Sequence, residues 1–304
     1  MDTAAPAAAD ATPNLSLVAT DMDGTFLTPC IDATGHANGF IGPRSVAIAK
    51  ALTADGVIFA IATGRPAPAL QPHVDDLGIA LPCICFNGAA VLKMAPHFPP
   101  EVWHLSPLED ATVKAVLQFA DSHDLCCSYS LFDRAVARCV GAEQQTLLDE
   151  YMQLEGVRQA VVGTTSELAT LGEPPLKIVL LTKSPDELAA AARAEVGAGA
   201  HIIAAEMHIE FLHPSVHKGT ALAWLCDHLH VDLASCATFG DNHNDIEMLR
   251  AAGVGCAMSN AKPEVKAAAD VVLEWSNADE GVARMCEQWH VAGCLRPPPP
   301  GPAV

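Results

Sequence analysis

Four short apolar runs each stop at a polar, glycine-containing turn, and this repeated design constrains the fold more than any other feature of the chain. Residues 15–20 end in Asp21, residues 57–62 in Thr63-Gly64-Arg65, residues 81–86 in Asn87-Gly88, and residues 237–239 in Gly240-Asp241. Short, nearly continuous apolar runs mark strands buried on both faces, as in a parallel sheet. Helix-like stretches fall between them. Pro43 suits a first helical turn and is followed by Ser45, Ile48, Ala49 and Leu52. The alternation predicts an α/β fold, a doubly wound parallel sheet. Ligands bind outside the carboxyl ends of such strands, so the four turns are the expected active site.

The stretch 90–213 has a different rhythm. It opens with a hairpin pattern (91–93 and 102–105), and Ser106-Pro107-Leu108-Glu109 then supplies an N-cap, a first-turn proline and a capping-box Glu. Strand patterns follow at 126–130, 135–139, 176–181, 202–205 and 207–212, with helical patterns around 144–152 and after Ser184-Pro185-Asp186-Glu187. The expected organisation is a discontinuous core, 14–89 and 214–291, interrupted by an inserted α+β cap domain at 90–213. Residues 1–13, rich in Ala, and 292–304, rich in Pro, are expected to be disordered.

Composition narrows the function. A formal net charge of -19 excludes a nucleic-acid partner, which requires a basic stripe. No apolar run approaches the roughly 20 residues of a membrane helix, so no membrane partner is expected. Eleven cysteines, an odd number without a C-x-x-C pair or a secretory signal, predict free thiols in a reducing, cytoplasmic setting.

The chemistry concentrates at two turns. Asp21-Met22-Asp23-Gly24-Thr25 follows a buried strand, and extended backbone turns Asp21 and Asp23 toward the same side. Carboxylates so close repel unless a cation joins them or one is protonated. Asp and Gly are also ordinary turn residues, so the pair gains meaning from its partners. Gly240-Asp241-Asn242-His243-Asn244-Asp245 adds two more carboxylates and an amide where a strand passes into a helix. An oxygen-rich set of this kind selects a hard cation such as Mg²⁺. Asp245 alone reads as an N-cap, but an N-cap does not require Asp241.

Taken in order, Asp21-Met22-Asp23-Gly24-Thr25-Phe26-Leu27, Ala62-Thr63-Gly64-Arg65, Asn87-Gly88-Ala89, His217-Lys218-Gly219 and Gly240-Asp241 with Asn244-Asp245 resemble the haloacid dehalogenase (HAD) superfamily, in particular its Cof-type hydrolases. The resemblance extends over about 15–289. It implies a Rossmann-like core with a cap, and a Mg²⁺-dependent phosphatase acting on a small phosphorylated metabolite. It makes Asp21 the nucleophile that forms an aspartyl-phosphate, and Asp23 the acid and base. The metal would be held by the side chains of Asp21 and Asp241 and the backbone carbonyl of Asp23, with Asp245 in support. The backbone of Met22, Thr63, Gly64, Lys218 and Asn244 would contact phosphate. Arg65 and Asn87 would face the cleft, and Lys177 would reach substrate from the cap.

Phe26 stands where the family more often has Leu, and 28–42 is long for the mobile loop that follows the nucleophile. Two other functions share this pattern: a phosphohexose mutase using the same intermediate, and a non-catalytic binding protein on the same fold. Intact Asp21, Asp23, Lys218 and Asp241 speak against the latter. A dinucleotide-dependent oxidoreductase lacks its G-x-G-x-x-G after the first strand.

Overall fold

The computed structural model describes residues 13–31 and 37–299. Its larger sheet has eight strands. From edge to edge they run Val271–Val272, Val254–Ala257, Cys236–Gly240, Leu17–Thr20, Ile58–Ala62, Leu81–Cys85, Ala90–Ala95 and Phe98–Leu105. The first six are mutually parallel, and the last two add as an antiparallel hairpin.

The period of two in a strand sorts these residues between two cores. Val18, Phe59, Ile61, Cys83 and Phe239 point to one face, beneath the helices Pro43–Ala54, Ala67–Leu77 and Gly281–Val291. Leu17, Ala19, Ala60, Ala62 and Ile84 point to the other, beneath Lys218–His228. Both faces are covered, so the strands need no polar side. This is the doubly wound arrangement expected from the apolar runs. Chain order reverses between Leu17–Thr20 and Cys236–Gly240, which opens a crevice at their carboxyl ends.

A second, six-stranded sheet runs in the order Gln159–Val162, Ala135–Arg138, Cys127–Ser130, Lys177–Leu181, His208–Leu212, His201–Ala204. It carries its own cluster, including Val116, Phe119, Tyr129, Ile178, Leu180 and Phe211.

Several expectations need correction. The hairpin assigned above to the insert belongs to the larger sheet: Ile84 pairs with Val91, and Val91 and Leu92 are fully buried against the strands before them. The change of sheet therefore comes after Leu105. Ser106 does not cap a helix. The helix is Asp110–Ser122, and the Ser106 hydroxyl lies 2.9 Å from His104 Nε2 instead. Ser184 does precede a helix, Pro185–Glu195, but its side chain makes no cap bond. The strand Gln159–Val162 has no expectation behind it, because a half-exposed edge leaves no apolar pattern. The segment after the Asp21 turn contains strands Leu27–Ile31 and Ala37–Ile41, paired antiparallel.

The N-terminal expectation, apart from Pro13, lies outside the described residues. At the other end, Cys294 and Leu295 are buried, and Leu15 and Cys294 share a 2.8 Å backbone bond, so order continues past residue 292. All eleven cysteines are free. Burial pushes the thiols of Cys85, Cys127 and Cys256 up to about 12, which leaves them as small apolar fillers. Among the described residues no helix is long and apolar enough to cross a membrane.

Candidate active site

Asp21 sits where the central strand stops. Its N–H donates to Phe239 O of the neighbouring strand at 3.0 Å, and its side chain is buried. The chain then turns sharply through Gly24, whose φ of 78° suits glycine. Glycine is required for space as well: a Cβ there would collide with the carboxylate of Asp241. The turn returns Thr25, whose hydroxyl donates to Asp241 Oδ1 at 2.7 Å. Thr25 is a site residue that sequence reasoning passed over, although it lies inside the motif.

Lys218 begins the helix that covers the far face of the sheet, and it is fully buried. Its Nζ donates to Asp21 Oδ1 at 2.5 Å and to Asp245 Oδ1 at 2.7 Å. The second oxygen of Asp245 accepts the backbone N–H groups of Asp241 and Asn242 at 2.9 and 3.0 Å. One Asp245 oxygen thus holds Lys218 and the other shapes the loop.

Asp21, Asp241 and Asp245 each offer a carboxylate oxygen within 4.8 Å of the others. One buried Lys faces three carboxylates, so negative charge is in excess. Burial raises Asp21 well above the usual carboxylate range, with Asp245, Asp23 and Asp241 adding to the rise against the pull of Lys218. Burial likewise raises Asp241 to about 6, partly offset by the Thr25 hydrogen bond. Lys218 is held charged, its two carboxylate partners outweighing the cost of burial. Hard oxygen donors gathered in a poorly solvated place fit a divalent cation, which would remove the excess charge.

Asp23 behaves differently from Asp21. Its side chain is 56% exposed, and Arg65 grips it through Nε at 2.7 Å and Nη2 at 2.6 Å. The carboxylate of Asp23 therefore lies outside the acidic cluster. Thr63 is buried, and its hydroxyl accepts the Arg65 N–H at 3.1 Å, closing a tight turn rather than capping a helix. Gly64 lies against the Asn87 amide, which a Cβ would approach to 3.1 Å. Met22 is buried, and Asn244 Nδ2 donates to Asn87 Oδ1 at 2.9 Å. Every residue singled out in the four turns, together with Lys218, thus lies at the carboxyl end of the larger sheet.

Lys177 corrects an expectation. It is fully buried in the smaller sheet, paired at 2.9 Å with both Glu155 and Glu210, and so has no free face for substrate. Glu210 was not foreseen. The visible signal is a lone acid inside the otherwise uninterrupted buried strand His208–Leu212.

The family described as haloacid dehalogenase-like hydrolase matches residues 18–285. A Haemophilus influenzae protein whose name provisionally makes it a phosphatase is 29% identical, over 89% of this chain and 97% of its own length. An Escherichia coli HMP-PP phosphatase is 28% identical over 83% and 86%. A Bacillus subtilis 5-amino-6-(5-phospho-D-ribitylamino)uracil phosphatase is 27% identical over 90% and 97%. Among solved structures, a Thermotoga maritima protein superposes with a TM-score of 0.76 at 22% identity, over 90% of this chain and 97% of that one. A HAD subclass IIB sugar phosphatase gives 0.71 at 21%, over 91% and 99%. These two structural likenesses establish the fold.

Proposed function

Because the chain belongs to the haloacid dehalogenase-like hydrolases, we propose that it is a Mg²⁺-dependent phosphatase that hydrolyses a small phosphorylated metabolite through an aspartyl-phosphate on Asp21. The observation that carries this reading is the buried Asp21 carboxylate, fixed by Lys218 and sharing a 4.8 Å cluster with Asp241 and Asp245. The names of the relatives support small phosphate esters as the substrate class.

Asp21 and Asp241, with the backbone carbonyl of Asp23, would hold the metal. Asp245, both of whose oxygens are engaged, supports them from behind. Bound Mg²⁺ supplies charge that shields the phosphate from the attacking carboxylate and polarises phosphoryl oxygens. In the first step an Asp21 oxygen bonds to phosphorus while the ester P–O bond breaks, and Asp23 gives its proton to the leaving oxygen. In the second, Asp23 takes a proton from water, whose oxygen bonds to phosphorus as the Asp21–phosphate bond breaks. Lys218, Thr63, the N–H groups of Gly64 and Met22, and Asn244 stabilise the phosphoryl oxygens. Arg65, reaching from the next strand end, donates to both Asp23 oxygens and orients the carboxylate at the mouth of the site; this grip has to open for Asp23 to carry the proton it gives to the leaving oxygen. The six-stranded sheet and its helices serve as the cap, with the core taking in residues up to 105.

Phosphate release from a panel of phosphorylated metabolites tests the proposal. Activity is expected with Mg²⁺, to vanish with a chelator and to return on adding metal; turnover indifferent to chelation contradicts it. A pH dependence follows. In the metal-free protein Asp241 is raised from 3.8 to about 6. A raised carboxyl contributes stability below its unfolded value and loses that contribution as pH climbs through the folded one. A bound cation favours the ionised form. The gain in Tm from Mg²⁺ over a chelator is therefore expected to grow between about pH 5 and pH 7. A gain that is flat across that window counts against Asp241 as a ligand.

A further inference from the structure

Adjacent strands of the smaller sheet, Lys177–Leu181 and His208–Leu212, each carry one charged group into the interior. Lys177 Nζ donates to Glu155 Oε1 and Glu210 Oε1, both at 2.9 Å, and Glu155 also accepts from the Tyr151 hydroxyl. His208 Nε2 stands 3.4 Å from the same Glu210 oxygen. The other Glu210 oxygen faces the larger sheet. Oε2 accepts from Asn87 Nδ2 at 3.1 Å, and Asn87 Oδ1 accepts from Asn244 Nδ2 at 2.9 Å. A continuous chain of hydrogen bonds runs from Lys177 to Asn244 and crosses between the sheets at Asn87.

The backbone at the crossing is unusual. Phe86, Asn87 and Gly88 have φ of 52°, 55° and 114°, three positive values in succession. Such conformations persist only where the surroundings over-determine them, and they gather at functional sites. Only one of the three is glycine.

The chemistry of the chain has a direction. A carboxylate can only accept, so Glu210 obliges Asn87 to present its NH₂ to the cap and its oxygen to Asn244. That oxygen obliges Asn244 to turn its own NH₂ inward. One N–H is consumed by Asn87, and the second remains free to donate to an anion. With the amide reversed, Asn244 would present oxygen to phosphate and repel it. We propose that Glu210, fixed by Lys177, is a positioning residue: it sets the polarity of two amides in series, so that the cap must be seated for Asn244 to offer an N–H to the phosphoryl group. This rests on the phosphatase reading above.

The test is a reciprocal exchange in the full-length protein with Mg²⁺, using p-nitrophenyl phosphate. In Glu210→Gln the amide oxygen can stay on Lys177, and the NH₂ then turns to Asn87, where it either opposes the Asn87 NH₂ or reverses that amide. Asn87→Asp sets a carboxylate against Glu210. Glu210→Gln is expected to lower kcat/KM by roughly 10-fold or more by freeing the polarity of both amides, and Asn87→Asp by a similar factor because repulsion at 210 unseats the cap while position 87 still accepts from Asn244. In the double variant the new amide at position 210 donates to the new carboxylate at position 87. That carboxylate also accepts from Asn244, and Lys177 keeps an acceptor in the amide oxygen. The double variant is expected to recover at least half of the lost activity on a logarithmic scale, while losses that simply multiply would overturn the proposal. A second readout is independent of turnover: the side-chain amide NMR signals of Asn244, identified by their absence in Asn244→Asp. They are expected to move in Glu210→Gln, whose side chain does not touch Asn244. Signals unmoved in that variant overturn the relay. Should the wild type release no p-nitrophenol, the phosphatase reading fails for this ester, and the amide signals alone decide the relay.

Discussion

Asp21→Asn is expected to lower kcat by at least about 1000-fold while leaving the protein folded. An amide oxygen is a far weaker nucleophile than a carboxylate, and it forms no acyl phosphate that water can resolve. Shape is almost unchanged, so the core around residue 21 has no cavity to fill. The electrostatic change is also tolerable. Asp21 is one of three carboxylates crowded around Lys218, and burial already disfavours its charge. Removing that charge leaves Lys218 paired with Asp245 at 2.7 Å. Circular dichroism and the thermal midpoint should therefore stay close to wild type while phosphate release disappears. A variant that keeps more than about 1% of turnover has not lost its nucleophile.

Lys218→Met is expected to fail in both stability and rate. The side chain fits the same buried volume, but Asp21 and Asp245 then face each other with no cation. Breaking a buried pair from one side costs about 3–5 kcal/mol, far more than loss of a surface ion pair. The loss should be read by denaturant unfolding with a chelator present. Mg²⁺ is expected to recover part of it, because a cation among Asp21, Asp241 and Asp245 relieves the same repulsion. Turnover of whatever folds is expected to fall by about 100- to 1000-fold, as for removal of one donor to a charged transition state. Unchanged stability would mean that Lys218 is not the counter-ion the geometry makes it.

The strands that build the site were legible because burial on both faces writes itself as uninterrupted apolar sequence. Asp21, Thr63, Asn87 and Asp241 fall at their ends in the sequence itself. Pro43 marked a helix start correctly, since proline restricts φ locally. What the sequence hid was non-local. The 87–210 contact joins residues more than a hundred positions apart, and nothing near Glu210 announces its partner. Ser106 carries a capping signature, yet its hydroxyl is used by His104 two residues back, a local competition that pattern alone does not resolve. The hairpin Ala90–Ala95 and Phe98–Leu105 reads as the start of the insert, yet it pairs with the larger sheet, because its alternation would suit either. Asp21 and Asp23 look equivalent in sequence. The turn at Gly24 and the reach of Arg65 make one a buried carboxylate and the other an exposed one.

Chemical trapping tests the central claim most directly. The enzyme is mixed with an accepted phosphate ester and Mg²⁺, quenched in acid during turnover, reduced with borohydride and digested for mass spectrometry. An aspartyl-phosphate predicts that the carboxyl of Asp21, and of no other residue, is reduced to the alcohol, with no such product in Asp21→Asn. Steady turnover with Asp21 unmodified, or with the modification on another side chain, would contradict it.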